Sequence, residues 1–148
     1  MPLIDAGGFE LHVQTLGPGP DAPAPTLPPV VLLHGLLVGS LATWYFSLAP
    51  ALAARRKVIL YDLRGHGRSE TPPRGYTLHD HLLDFGAVLQ ACEVDEPVAL
   101  VGHSFGALIA LKAALRRPER VARLVLCELP HPTTQAAHPP EGEAVDHE

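Results

Sequence analysis

The sequence has few cysteines, few aromatic residues and no long apolar run, and each shortage excludes a class of protein. Its 148 residues include two cysteines, Cys92 and Cys127, and 5% aromatic residues. Two thiols far apart do not form the disulfide framework of a small secreted domain, so a reducing, cytoplasmic location is expected. No apolar run approaches the roughly 20 residues of a membrane-spanning helix. The first residues carry neither a basic cluster nor an apolar stretch, so we expect no secretory signal and no membrane partner.

Basic residues are also scarce, above all near the C-terminus. The chain has 11 Lys and Arg against 16 Asp and Glu, a net charge of -5. Residues 130–148 carry four acidic side chains and neither Lys nor Arg, so this segment accounts for most of the net charge. A phosphate-binding surface needs clustered Lys and Arg, and we therefore expect no nucleic-acid partner.

The chain has enough apolar residues to form the core of one domain, and it also has two proline-rich segments. Hydrophobic residues make up 47% of the chain, a fraction typical of a globular protein. Prolines cluster within 18–29 and again within 130–140. Because proline lacks a backbone donor, neither cluster suits a helix interior or a central strand. The first is read as a surface loop or a semi-rigid linker. The sequence predicts a core over 1–129 and a disordered Pro-rich acidic tail over 130–148.

Short apolar runs alternate with helical patterns between these clusters. Strands are predicted at 30–33, 58–61, 98–101 and 121–126, and helices at about 41–54, 78–91 and 105–116. Runs that are apolar on both faces are typical of parallel strands covered by helices on both sides. An additional strand at 9–15 alternates apolar and polar residues, which favours a half-exposed edge. The predicted fold class is α/β with a parallel sheet and crossover helices.

The motif Gly102-His103-Ser104-Phe105-Gly106 carries the strongest chemical signal. A predicted strand runs directly into it and a predicted helix follows, which is the setting of a nucleophile elbow. The tight turn projects the Ser104 hydroxyl away from the sheet, and a Cβ at either glycine would collide with the neighbouring helix or strand. The alternative is that Ser104 only caps the helix. A cap alone does not require both glycines.

A second motif ends the strand at 30–33 with His34-Gly35. Gly35 allows a sharp turn that leaves the backbone N–H of Leu36 free. Together with the N–H of Phe105, it would form a two-donor pocket for the oxyanion of a tetrahedral intermediate. The alternative interpretation is an ordinary turn after a strand.

With the segment Tyr61-Asp62-Leu63-Arg64-Gly65-His66-Gly67-Arg68-Ser69 between them, these two motifs make the chain similar to the α/β-hydrolase superfamily. The resemblance is to its esterase, epoxide-hydrolase and carbon–carbon-hydrolase members. It implies a serine hydrolase acting on an ester-like or carbon–carbon bond of a small-molecule substrate, with Ser104 as nucleophile and without a cofactor. The middle segment is interpreted as a hydrogen-bonded loop near the oxyanion pocket rather than a catalytic cluster of Asp62, Arg64 and His66.

The sequence departs from the family pattern after about residue 130. The family places a catalytic histidine beyond the sixth strand, but here only His131, His138 and His147 follow Ser104. All three lie in the predicted tail, and His103 is too close to Ser104 to turn toward it easily. Glu128 directly follows the last predicted strand, where some relatives supply the catalytic carboxylate; an exposed strand-end carboxylate is the alternative. The expectation is a hydrolase core truncated after about the sixth strand, without a cap domain.

This truncation predicts an unpaired edge at 121–127, which a second chain or a second copy of the chain could cover. The histidines lack metal-ligand spacing, so no metal is expected. Two functions remain open. One is a serine hydrolase that needs a base from elsewhere. The other is an inactive fragment or pseudoenzyme that binds or oligomerises through its exposed sheet edge.

Overall fold

A computed structural model describes residues 2–130 of the chain, and its centre is a six-stranded sheet. The strands are β1 (Leu3–Asp5), β2 (Glu10–Leu16), β3 (Val30–Leu33), β4 (Val58–Tyr61), β5 (Val98–His103) and β6 (Val121–Cys127). They lie in the sheet in the order β1-β2-β4-β3-β5-β6. The strands β4, β3, β5 and β6 run parallel to one another, whereas β1 and β2 are antiparallel to their neighbours. The predicted α/β class is confirmed.

Helices cover both faces of this sheet, which explains why β3 and β4 are apolar throughout. The helices are α1 (Ala42–Tyr45), α2 (Leu48–Ala53), α3 (Leu78–Ala91) and α4 (Phe105–Arg116), followed by a short 3₁₀ helix, Pro118–Arg120. Successive residues of β3 serve opposite faces, as the two-residue period of a strand requires. Val31 and Leu33 pack in the core cluster that includes α3 and α4 residues, and Val30 and Leu32 pack in the one that includes α1 and α2 residues.

The single helix predicted at about 41–54 is wrong, because the structure has two short helices there. The chain breaks at Phe46 and Ser47, and Ser47 has φ -122° and ψ -88°. Pro50 gives the physical reason. In a continuous helix its ring would clash with the carbonyl of Phe46, four residues earlier, so the helix must restart close to Pro50.

The exposed edge predicted for 9–15 is also wrong. β2 lies inside the sheet, between β1 and β4, and the three-residue β1 was not predicted. His12, expected on the exposed face, is buried because its ring bonds to the buried carboxylate of Asp62. In the part of the chain that the structure describes, the two outer strands of the sheet are instead β1 and β6.

Three other expectations concern the chain as a whole. Cys92 and Cys127 are both unpaired thiols. Among residues 2–130, no helix combines the length and hydropathy needed to span a bilayer. Most of the predicted tail lies outside the described residues, and the boundary at 129/130 stays a prediction.

Candidate active site

Ser104 occupies the turn between β5 and α4 in a strained backbone conformation. Its φ is 53° and its ψ is -115°. Such conformations cost about 1–3 kcal/mol and persist only where the surrounding structure imposes them. The Ser104 side chain makes no capping hydrogen bond to α4. The helix-cap interpretation therefore loses its support, and the hydroxyl remains available for other chemistry.

Gly102 and Gly106 make this turn sterically possible. A Cβ on Gly102 would lie within 3.0 Å of the Gly106 carbonyl, and a Cβ on Gly106 would lie equally close to the Leu33 carbonyl of β3. Carbon atoms do not approach backbone atoms so closely, so neither position accepts a larger residue without backbone movement. The expectation that the two glycines permit close packing of helix and strand is confirmed.

The turn is fixed to the end of the neighbouring strand β6. The Ser104 N–H donates to the carbonyl of Cys127 at 2.9 Å. Its own carbonyl accepts from the N–H groups of Ala107 and Leu108, at 3.0 and 3.2 Å. Ser104 is thus held by β6 on one side and by the first turn of α4 on the other.

The predicted oxyanion residues lie beside Ser104. A Cβ on Gly35 would come within 3.3 Å of the Ser104 Cβ, which places the turn after β3 against the elbow. Phe105 is the first residue of α4, so its N–H has no acceptor within the helix. Within residues 2–130, the N–H groups of Leu36 and Phe105 donate to no protein acceptor. Two unpaired donors therefore lie next to a strained serine.

The segment 35–41, here called the oxyanion loop after the role predicted for Leu36, is held by hydrogen bonds at several points. His66 accepts a hydrogen bond from the Leu37 N–H at 3.1 Å. Asp62 accepts one from the Leu41 N–H at 2.8 Å. Gly39 folds so closely onto the loop that a Cβ there would lie within 3.0 Å of the Gly35 carbonyl. The loop is therefore held in one conformation by its contacts.

Asp62 is the centre of the hydrogen-bonded middle segment. Besides the Leu41 N–H, its carboxylate bonds to the His12 ring at 2.8 Å and to the Arg68 N–H at 3.0 Å. It is 2% exposed. These bonds connect β2, the oxyanion loop and the loop after β4, which confirms the structural interpretation of this segment.

Arg64 connects the same segment to α3. Its guanidinium forms two 2.7 Å bonds to the buried carboxylate of Asp84, and it lies 4.6 Å from the centre of the Phe9 ring. The hydrogen bond to Asp84 raises the pKa of Arg64, while burial raises the pKa of Asp84 despite the opposing effect of Arg64. Both groups are engaged with each other, so neither is a free acid or base for Ser104.

Glu128 contacts His103, the residue that precedes Ser104. Its Oε2 accepts a hydrogen bond from Nε2 of His103 at 2.7 Å. The side chains are 80% and 39% exposed, respectively. Register could have revealed this pair, because His103 aligns with Cys127 across two parallel strands and Glu128 is the next residue.

Five of the six histidines within residues 2–130 hydrogen-bond to other groups, whereas the ring of His81 packs against Phe105 and its Nδ1 has no hydrogen-bond partner among these residues. Their contacts are His12 with Asp62, His34 with Gly35 and Leu63, His66 with Leu37 and Arg64, His79 with Arg116, His81 with Phe105, and His103 with Glu128. Burial lowers the pKa of His34, and burial, assisted by the charge of Arg64, lowers that of His81 to about 4. The candidates His131, His138 and His147 lie outside the described residues, and their role stays a prediction.

Other features of the described residues lie apart from Ser104. Within residues 2–130 there is no group of three or more potential metal ligands. A groove of about 660 Å³ between α3 and α4 is lined by residues that include Leu83, Leu89, Arg116 and Arg120, and it does not include Ser104. Among the described residues, the elbow itself offers the hydroxyl of Ser104 and the two backbone donors beside it.

Comparison with known proteins identifies this arrangement. The family model for the alpha/beta hydrolase fold matches residues 28–144. The chain belongs to the alpha/beta hydrolase fold family. This membership agrees with the three motifs and with the observed strand order.

Individual members of this family match over most of the chain's length. It is 36% identical over 127 residues to 2-hydroxy-6-oxo-2,4-heptadienoate hydrolase of Pseudomonas putida, a match that spans 84% of the chain and 42% of the relative. It is 34% identical to epoxide hydrolase 2 of Siraitia grosvenorii, over 82% of the chain and 36% of the relative. A solved thioesterase domain from the curacin biosynthetic pathway matches 92% of the chain and 48% of that domain, with 35% identity and a TM-score of 0.76. The chain thus spans less than half the length of these relatives.

Proposed function

We propose that this chain provides the nucleophile half of a serine hydrolase that acts on an ester-like, or alternatively a carbon–carbon, bond of a small molecule. One observation carries the proposal. Ser104 sits in a strained turn without a capping bond, beside the unpaired N–H groups of Leu36 and Phe105. Strain at a nucleophile and preorganised donors next to it are what acyl transfer requires. The three relatives carry the names of hydrolytic enzymes, which supports hydrolysis of a small molecule as the broader type of reaction.

In the proposed reaction, the Ser104 hydroxyl attacks the carbonyl carbon of the substrate as its proton passes to a base. The carbonyl oxygen becomes an anion that accepts hydrogen bonds from the N–H groups of Leu36 and Phe105. The N-terminus of α4 adds a favourable electrostatic field. The leaving group departs with a proton, and water then releases the acyl group from Ser104.

The base is the part of this site that the described residues do not supply. A general base must lie within hydrogen-bond reach of the hydroxyl. Five of the six histidines of residues 2–130 hydrogen-bond to other groups, and the sixth, His81, is buried against the Phe105 ring with a pKa lowered to about 4. We propose that the base is an imidazole from His131, His138 or His147, or from a second chain. Glu128, at the end of β6, is proposed as the carboxylate that orients it, and this role requires Glu128 to release His103.

The experiment is hydrolysis of p-nitrophenyl acetate by the purified chain, with Ser104→Ala as the control. The proposal predicts turnover that the control lacks. Single replacements of His131, His138 and His147 by Ala then identify the base, because only one of them should abolish turnover if the tail supplies it. Equal rates for the chain and for Ser104→Ala would overturn the proposal.

A second function is supported by the exposed edge of the sheet. Among residues 2–130, β6 has a neighbouring strand on one side only, and Val125 within it is 50% exposed. An apolar edge strand is a template for pairing with another strand. We propose as the alternative an inactive module that binds a second copy through residues 121–127. Light scattering tests it: a dimer that Val125→Lys converts to monomer supports edge pairing, and a monomer at all concentrations contradicts it.

A further inference from the structure

The middle motif contains one side chain whose role the fold alone does not explain. His66 lies on the loop after β4, yet its ring contacts the oxyanion loop. Its Nε2 accepts the N–H of Leu37 at 3.1 Å, and its Nδ1 lies 3.0 Å from the carbonyl oxygen of Arg64. Since a carbonyl can only accept, the proton must be on Nδ1, and Nε2 is left as an acceptor. The ring is thereby oriented by one bond and free to hold Leu37 with the other.

The residue that His66 holds has a backbone conformation that leucine rarely adopts. Leu37 has φ 69°, and its side chain is 92% exposed. No packing of this side chain stabilises the left-handed conformation, which is unfavourable for a residue with a Cβ. The bond from the Leu37 N–H to His66 is the contact that holds this residue directly.

The peptide between Gly35 and Leu36 is held by a second histidine, His34. The His34 ring accepts the Leu63 N–H at Nε2, at 3.0 Å, and donates from Nδ1 to the Gly35 carbonyl at 2.7 Å. Because the peptide is trans, the Leu36 N–H points opposite to the Gly35 carbonyl. Fixing that carbonyl therefore fixes the direction of the Leu36 N–H, provided that the chain beyond Leu36 is also held.

We infer that His66 is a positioning residue of the oxyanion pocket, which holds the Leu37 N–H and thereby keeps the Leu36 N–H directed into the space beside Ser104. The ring centres of His34 and His66 lie 5.3 Å apart, and the two rings bond to the consecutive peptides on either side of Leu36. Asp62 fastens the loop as well, but at Leu41, five residues after Leu36. The inference rests on the proposed function, because it assigns His66 a role in the pocket that serves Ser104.

Three variants separate this role from a contribution to folding. His66→Leu removes the acceptor. His66→Gln offers an amide oxygen that can accept the same N–H. Val88→Ala, on α3, removes two buried methyl groups far along the chain from the oxyanion loop and serves as the matched control for lost stability. Each variant is first shown to be folded by its circular dichroism spectrum.

The first measurement is the rate at which an alkyl fluorophosphonate labels Ser104. Losing an oxyanion donor costs about 10²–10³ in rate, so a misdirected donor in His66→Leu should slow labelling at least about tenfold. His66→Gln should restore most of the rate, and Val88→Ala should keep it. Labelling of His66→Leu at the wild-type rate would overturn the inference and leave the proposed function standing.

The second measurement does not depend on any reaction of Ser104. Amide resonances of Leu36 and Leu37 in ¹H–¹⁵N spectra should shift in His66→Leu, return toward wild type in His66→Gln and stay in place in Val88→Ala. If the wild-type chain is not labelled at all, the proposed function fails, and these resonances still decide whether His66 holds the loop. Unchanged Leu36 and Leu37 resonances in His66→Leu would reject the assignment.

Discussion

The carboxylate of Glu128 accepts a hydrogen bond from the ring of His103, with 2.7 Å between Oε2 and Nε2. This bond joins the end of β6 to the residue that precedes Ser104. The Ser104 N–H bonds to Cys127 at the same junction. The end of β6 is therefore part of the elbow's support, whichever group serves as the base.

The His103–Glu128 pair should contribute little to stability, because its side chains are 39% and 80% exposed. A double-mutant cycle with His103→Ala and Glu128→Ala should give a coupling free energy below about 1 kcal/mol, as is usual for solvent-exposed ion pairs. Urea unfolding of the four proteins measures it. A coupling well above that value would mean that the pair is a structural anchor rather than a contact Glu128 can release.

Gly106→Ala should strongly destabilise the fold, because the new Cβ would collide with the carbonyl groups of Leu33 and His34. We expect a loss of at least about 2 kcal/mol, in the range of an overpacked core position. Gly86→Ala is the matched control. Gly86 lies in α3 with no atom near its Cβ position, so alanine should stabilise the helix by about 0.5–1 kcal/mol. Denaturant midpoints that move in the same direction for both variants would contradict this account of the elbow.

Asp62→Ala should cost about 3 kcal/mol or more of unfolding free energy, since it removes a buried carboxylate that accepts several hydrogen bonds. Its donors are the N–H groups of Leu41 and Arg68 and the ring of His12. Asp95→Ala, at an exposed position, should change stability by about 0.5 kcal/mol or less. Thermal or urea unfolding compares the two. Similar small effects would show that Asp62 does not organise the loops.

Acid should weaken the fold through His81. Its folded pKa is about 4, lowered from an ordinary 6.5 mainly by burial. Between pH 6.5 and pH 4, the His81 ring is therefore protonated in the unfolded chain but neutral in the folded chain. The unfolding free energy should fall as the pH drops from 6.5 toward 4, by up to about 3 kcal/mol from this group.

His81→Leu tests this origin by urea unfolding at several pH values. The variant should lose less stability than the wild-type chain between pH 6.5 and 4. A residual loss is expected from His34, whose pKa burial also lowers. Identical pH dependence in the two proteins would show that His81 is not the buried group responsible.

The sequence correctly predicts those parts of the fold that depend on a local feature, such as an apolar run or the steric limits of a tight turn. Continuous apolar runs identified β3, β4, β5 and β6, and the glycines of the elbow followed from sterics alone. The apolar pattern predicts one helix over 41–54, but Pro50 cannot continue a helix from the preceding turn, and the structure has two short helices there. β2 was misplaced because its polar residue His12 is buried by a bond to Asp62, fifty positions away in the sequence.

The candidate site likewise contains residues that local motifs predict and contacts that depend on distant parts of the chain. Ser104, Gly35, Leu36 and Phe105 were proposed from motifs, and the structure brings them together. The bond from His66 to Leu37 depends on how the loops after two different strands meet, which neither residue spacing nor composition predicts. The bond from His103 to Glu128 follows from the register of β5 and β6, which the apolar pattern of the two strands alone leaves open.

The central claim is that Ser104 is an activated nucleophile, and covalent labelling tests it most directly. The purified chain is incubated with a fluorophosphonate, and the adduct is counted by intact mass and located by peptide mapping. We predict one adduct per chain, on Ser104, with none on Ser104→Ala. A folded wild-type chain that stays unlabelled, or an adduct that persists in Ser104→Ala, would contradict the claim.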